Sequence, residues 1–140
     1  EVIADGANLT STGDISIAAT STVATAATTG AGTSTDDKSD NAIAVTIVDS
    51  DATASITGDS SVTVAGALNL SATNTVTDYT VANASNASGA FGGVLALSYV
   101  DQDTSAFIGG TTTIDDDGDS NEADSITVAA TSDSTVMLAS

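Results

Sequence analysis

The chain has 140 residues, with 19 acidic side chains against a single base, Lys38, and a formal charge of −18. Phosphate binding and docking on an anionic bilayer both need clustered Lys or Arg, so nucleic acid is nearly excluded and docking on an anionic membrane surface is disfavoured. His and Cys are absent, which removes imidazole acid–base chemistry, thiol nucleophiles, disulfides and the usual zinc ligands.

In chain order, strand-like pieces alternate with turn signals. Val2-Ile3 begins at once, Asp5-Gly6 and Thr12-Gly13-Asp14 mark turns, and Ile15-Ser16-Ile17 starts a longer alternating run. The stretch Ala24 to Asp40 carries Asp36-Asp37-Lys38, which makes a strand there doubtful. Beyond it come Ile43-x-Val45-x-Ile47, a turn at Gly58-Asp59-Ser60, Val62-x-Val64 and Leu68-x-Leu70. Val94-x-Ala96, a turn at Gly109-Gly110 and the run Ile126 to Leu138 complete the series. A period of two with Val, Ile and Thr is the signature of strands, and no segment shows caps with i, i+3, i+4 apolar spacing. Pro is absent, as suits strands that donate every N–H to a ladder. The fold class is all-β.

The pieces repeat. Ile15 to Val23 matches Leu68 to Val76 at an offset of 53 (68 − 15), and Ile43 to Asp51 matches Leu95 to Asp103 at 52 (95 − 43). Ile3, Ile56 and Ile108 keep the step, as do Leu9, Val62 and Ile114, and Gly58 and Gly110 close corresponding turns. Copies therefore run about 1–53, 54–105 and 106–140, with an acidic insertion at 115–124. Apolar residues reach 41% but aromatics only 3%, so a thick globular core is out of reach. Disorder, which such acidity can signal, is opposed by a mean hydropathy of +0.20 and by the alternation. A parallel β-solenoid of ~52–53-residue repeats satisfies these facts, with Val, Ile, Leu and Ala inward and Thr, Ser and Asn outward or stacked in ladders. Coils of roughly 20–25 residues would put two or three in each copy and give a rod of roughly 30 Å. A β-sandwich of short strands is the structural alternative.

The run Ala42 to Gly58 followed by Ser61 to Thr73 resembles the β-strand repeats of very large bacterial surface proteins. These are the passenger regions of autotransporter and two-partner-secreted adhesins, including filamentous-haemagglutinin-like and leukotoxin-type repeats. The resemblance covers nearly the whole chain. It implies a right-handed β-helix passenger, exported and held at the cell surface, and it supplies no catalytic residues. No signal peptide opens the chain at Glu1, and the longest apolar stretch, Gly89 to Leu97, falls short of the roughly 20 residues that span a bilayer.

Among candidate sites the insertion stands first. Asp115, Asp117, Asp119 and Asn121 fall on every second residue, Gly118 lets the chain curl, and Asp124 follows. Hard Ca²⁺ takes six to eight oxygens of this kind, so these five residues are the expected Ca²⁺ ligands, against a plain solvated loop. Asp49/Asp51 and Asp101/Asp103 would approach one another if the copies stack; the bland reading places them in exposed turns that splay apart. Thr73-x-Thr75-x-Thr77 and Thr111-x-Thr113 resemble the threonine arrays of ice-binding solenoids, but the pattern does not recur in every coil and reads as ordinary strand surface. Sequons at Asn8, Asn69, Asn83 and Asn86 arise readily in Ser/Thr-rich sequence.

A carboxylate pair for sugar hydrolysis would lack gripping side chains beyond Lys38, Tyr79, Tyr99, Phe91 and Phe107, so no enzyme is expected. The chain reads as a structural or adhesive segment of an extracellular bacterial fibre. Its partners are then flanking repeats or copies of itself, and a host or surface ligand. The alternative is a complete small subunit that polymerises end to end, its open strand edges pairing with the next chain.

Overall fold

The structure, a computed structural model, describes residues 1–30, 40–84, 92–115 and 124–140. It is all-β, 84% strand and without helix among the described residues. The described residues form nine strands: β1 (Val2–Asp5), β2 (Asn8–Ser11), β3 (Ile15–Gly30), β4 (Asp40–Thr57), β5 (Ser61–Val64), β6 (Ala67–Asn83), β7 (Gly92–Ile108), β8 (Thr113–Asp115) and β9 (Ser125–Ala139). They make three parallel three-stranded sheets in the orders β1-β4-β7, β2-β5-β8 and β3-β6-β9.

The register explains the repeat. Val2 pairs with Ala54 and Leu9 with Val62, while Val62 pairs in turn with Ile114. In the pairs β1-β4, β2-β5 and β5-β8 the neighbouring residues thus lie 52 or 53 apart, and the middle copy is made of two long strands, β4 and β6, and one short strand, β5. One passage through the three sheets consumes a whole copy, so coils of 20–25 residues are not what the chain forms. The offset widens between Asp115 and Asp124. Asp124 N–H then donates to the Gly66 carbonyl, 58 residues back, where Thr113 N–H donates to Ser60, 53 back.

Turns between sheets are stacked glycine on glycine. Gly6, Gly58 and Gly110 have φ of 58°, 68° and 73°, a left-handed conformation that costs a side-chain-bearing residue about 1 kcal/mol or more. A Cβ on Gly58 would also collide with the Asp5 carboxylate and lie 3.0 Å from the Gly6 nitrogen. Gly58→Ala should therefore lower stability by roughly 2–3 kcal/mol, read by denaturant melting. Gly13→Ala, where a Cβ meets nothing within 4 Å, should stay near wild type. Equal melting of the two variants would refute the stacked-turn account.

The chain divides into two compact units, residues 1–21, 51–74 and 103–132 in the first and 22–50, 75–102 and 133–140 in the second. The first holds the larger side chains: Ile56, Val62, Val64, Leu68 and Leu70 are fully buried, flanked by Ala4, Leu9, Ile15, Ile17, Ile108 and Ile114. Beside them lies an alanine cluster of Ala19, Ala52, Ala54 and Ala72. The apolar cluster of the second unit is Ala42, Ala44 and Ala82 with Ala96 against it.

Along β4 the burial runs opposite to expectation. Ala42, Ala44, Thr46 and Val48 are buried, whereas Ile43, Val45 and Ile47 are 60%, 48% and 73% exposed. Leu95, Leu97 and Tyr99 on β7 are likewise exposed, by 51%, 51% and 59%. From Ala42 to Val48 both phases of the alternation are largely apolar, so hydrophobicity does not choose between them. The interior at this level is filled by alanines and hydroxyls, leaving the large aliphatics for the outside. Polar residues are not confined to the surface either: Thr46, Ser50, Ser55, Ser60, Asn74, Asp78 and Thr80 are all buried.

Candidate functional site

In the second unit the inward positions of β6 read Val76, Asp78, Thr80 and Ala82, each buried, between outward Thr77, Tyr79 and Val81. Asp78 is fully enclosed. Its Oδ1 accepts from Thr25 Oγ1 of β3 at 2.6 Å, and its Oδ2 accepts from Thr80 Oγ1 at 3.2 Å and from Ser98 Oγ of β7. Thr46 Oγ1 of β4 lies 2.6 Å from Thr80 Oγ1 and completes the chain of hydroxyls. Burial pushes the Asp78 carboxyl toward the protonated form. Hydrogen bonds donated by Ser98, Thr25, Thr80 and Thr46 oppose that and win, holding its pKa below the ordinary 3.8. The hydroxyls of Thr25, Thr80 and Ser98 hold the group as an ionised carboxylate. A carboxylate sealed from solvent cannot reach a substrate; what it can do is fix the relative positions of the strands that donate to it.

The sequence did not reveal this site. Asp78 sits in a Thr-Asp-Tyr context that reads as surface, and its donors come from positions 25, 46, 80 and 98. The one available signal was the ladder itself: Thr25 stands 53 residues before Asp78, the same step that relates Ile15 to Leu68.

The residues singled out for calcium divide. Asp115 closes β8 and Asp124 precedes β9, both exposed, while Asp117, Asp119 and Asn121 lie outside the described residues. Among the described residues no group of three or more acidic side chains is arranged to hold a metal ion. Asp49, Asp51, Asp101 and Asp103 are not in turns. All four are exposed residues within β4 and β7, and Asp51, Asp103 and Glu1 line one open depression of the first unit. Thr73, Thr75 and Thr77 are the outward residues of β6, alternating with buried Asn74, Val76 and Asp78. Asn8, Asn69 and Asn83 lie on strands, and Asn86 falls outside the described residues.

The second notable feature of this unit is on its surface. Gly93 lies against Asn41, where a Cβ would come 3.0 Å from the Asn41 Oδ1, and Asn41, Ile43, Val94 and Leu95 surround a shallow apolar depression. Gly109 N–H donates to the Ile56 carbonyl, which in a parallel ladder pairs Ile108 of β7 with Ile56 of β4, an offset of 52 (108 − 56) that Gly93 and Asn41 also keep. Carried along both strands, it places Ile43 beside Leu95, Val45 beside Leu97, Ile47 beside Tyr99 and Asp49 beside Asp101. Comparison with known protein families, curated proteins and solved structures finds no match to this chain.

Proposed function

We propose that the chain is a non-catalytic stretch of a parallel β-solenoid, serving as a structural and adhesive segment of an extracellular bacterial surface fibre. The observation that carries this reading is the parallel ladder at 52–53 residues. Each copy's strands accept the next copy's through backbone bonds that do not depend on side-chain identity, so length is added by repetition. The likeness of residues 42–73 to giant-adhesin repeats supports the surface location, and the charge of −18 suits a long fibre that must stay dispersed. Attachment in such a fibre is spread over many weak contacts rather than held at one site.

The test is to add a copy. Duplicating residues 54–105 directly after Ser105 continues the step of 52 without breaking any strand phase. The enlarged chain is expected to keep its β-type circular dichroism and to melt several degrees higher, because one more nearest-neighbour interface is formed. Loss of cooperative melting on duplication would show a self-limited domain and overturn the reading.

A further inference from the structure

One face of the second unit is apolar where a solvated sheet surface is ordinarily polar. Ile43, Val45, Ile47, Leu95, Leu97 and Tyr99 are 48–73% exposed, and at on the order of 200 Å² for a fully exposed side chain of this size they present roughly 600 Å². That is the upper limit of what a monomer usually shows. Two such patches face to face bury roughly 1,200 Å², the lower bound of a specific stable interface. We propose that this face of β4 and β7 is a two-fold dimerisation surface, its occupant a second copy of this chain.

The layout of charge selects the arrangement. The stripe runs from Asn41 and Gly93 at one end to Asp49 and Asp101 at the other, all exposed. A parallel overlay would bring Asp49 and Asp101 onto their own copies, at a cost that the chain's acidity makes worse. A two-fold axis crossing the strands at Val45 and Leu97 avoids this. It lays Ile47 over Ile43 and Tyr99 over Leu95 of the second copy, and it sends Asp49 to Asn41 and Asp101 to Gly93. The carboxylates then meet an amide and a side-chain-free position, and the patch complements itself, as an isologous contact requires. Sheets so apposed pack about 10 Å apart with their side chains interleaved. The contact is lateral, whereas the ladder of the proposed fibre is axial, so the two stand independently.

Net repulsion between chains of −18 makes the dimer salt-dependent. Sedimentation of the full chain is expected to show a two-chain species that grows with sodium chloride and stops at two. Ile47→Glu and Tyr99→Glu together should abolish it while leaving the melting temperature within a few degrees, since both side chains are outside the core. Val45→Cys, on the axis, should join to its own copy through a short bis-maleimide linker in high salt. A one-chain species at every salt and concentration, a dimer that survives the double substitution, or no Val45→Cys product would each overturn the proposal. Axial association shows itself separately, as an open-ended series of sizes that does not link position 45 to itself.

Discussion

Leu68→Asp is expected to abolish cooperative unfolding. Leu68 is fully buried with Ile56, Val62, Val64 and Leu70, the only cluster of large aliphatic side chains among the described residues. The other two apolar clusters are built on buried alanines. Truncating such a leucine to Ala costs about 2–5 kcal/mol through lost transfer energy and the cavity left behind. An aspartate adds an unpaired buried charge, worth several kcal/mol more. A domain of ordinary stability has only about 5–15 kcal/mol to lose, so the variant should have no folded state while Leu68→Ala melts early but cooperatively. Val62→Asp, in the same cluster, should behave as Leu68→Asp does. Circular dichroism during thermal melting decides it: a sharp transition near the wild-type temperature for either aspartate variant would mean that this cluster does not hold the fold.

Much of this was legible because the ladder is periodic. Gly6, Gly58 and Gly110 keep one step of 52 along the chain, and the left-handed turns they make need glycine in every copy, so the linear sequence records the stack. Leu9, Val62 and Ile114 are legible for the same reason. The coil size was not, because β3, β4, β6 and β7 run 16 to 18 residues, well beyond the usual strand of about 5–6. Long continuous strands look in sequence like several short ones joined by Ser and Thr. The phase of β4 was illegible for a different reason. Alternation identifies a strand but not which face is buried when both faces are apolar, and here the deciding factor is the width of an interior that takes Ala42 and Ala44 in preference to Ile43 and Val45. Of the proposed calcium ligands, Asp115 and Asp124 bracket the insertion. Asp78 shows the limit of sequence patterning most clearly, since two of its hydroxyl donors, Thr25 and Ser98, stand 53 and 20 residues away in the chain.

Asp78→Asn is expected to destabilise the protein at neutral pH by about 1–3 kcal/mol, and that difference should shrink on acidification. The asparagine keeps the shape but has one acceptor oxygen in place of two, while Thr25, Thr80 and Ser98 all donate to the wild-type carboxylate. Charge-assisted bonds of this kind are about twice as strong as neutral ones, and the amide NH₂ would meet hydroxyls turned to donate. The pH dependence follows from the direction of the shift. Because the folded carboxyl titrates below its ordinary 3.8, its contribution is fully present above the unfolded pKa and is lost as pH falls through the folded one. Among the described residues, the groups that act on it are Thr25 on β3, Thr46 on β4, Thr80 on β6 and Ser98 on β7, and none of them titrates in that range. The other carboxylates are common to both proteins and cancel in the difference. Asp78→Ala should be worse than Asp78→Asn at neutral pH, since it leaves the hydroxyls without their acceptor and opens a cavity. Denaturant melts of wild type and Asp78→Asn, from neutral pH down through the carboxylate range, measure the gap directly. A gap that stays constant with pH, or none at neutral pH, would mean that the carboxylate is not ionised in the fold. A gap that closes only on acidification would identify a buried charge, held by the hydroxyls of Thr25, Thr80 and Ser98, as what ties β3, β6 and β7 together inside the second unit.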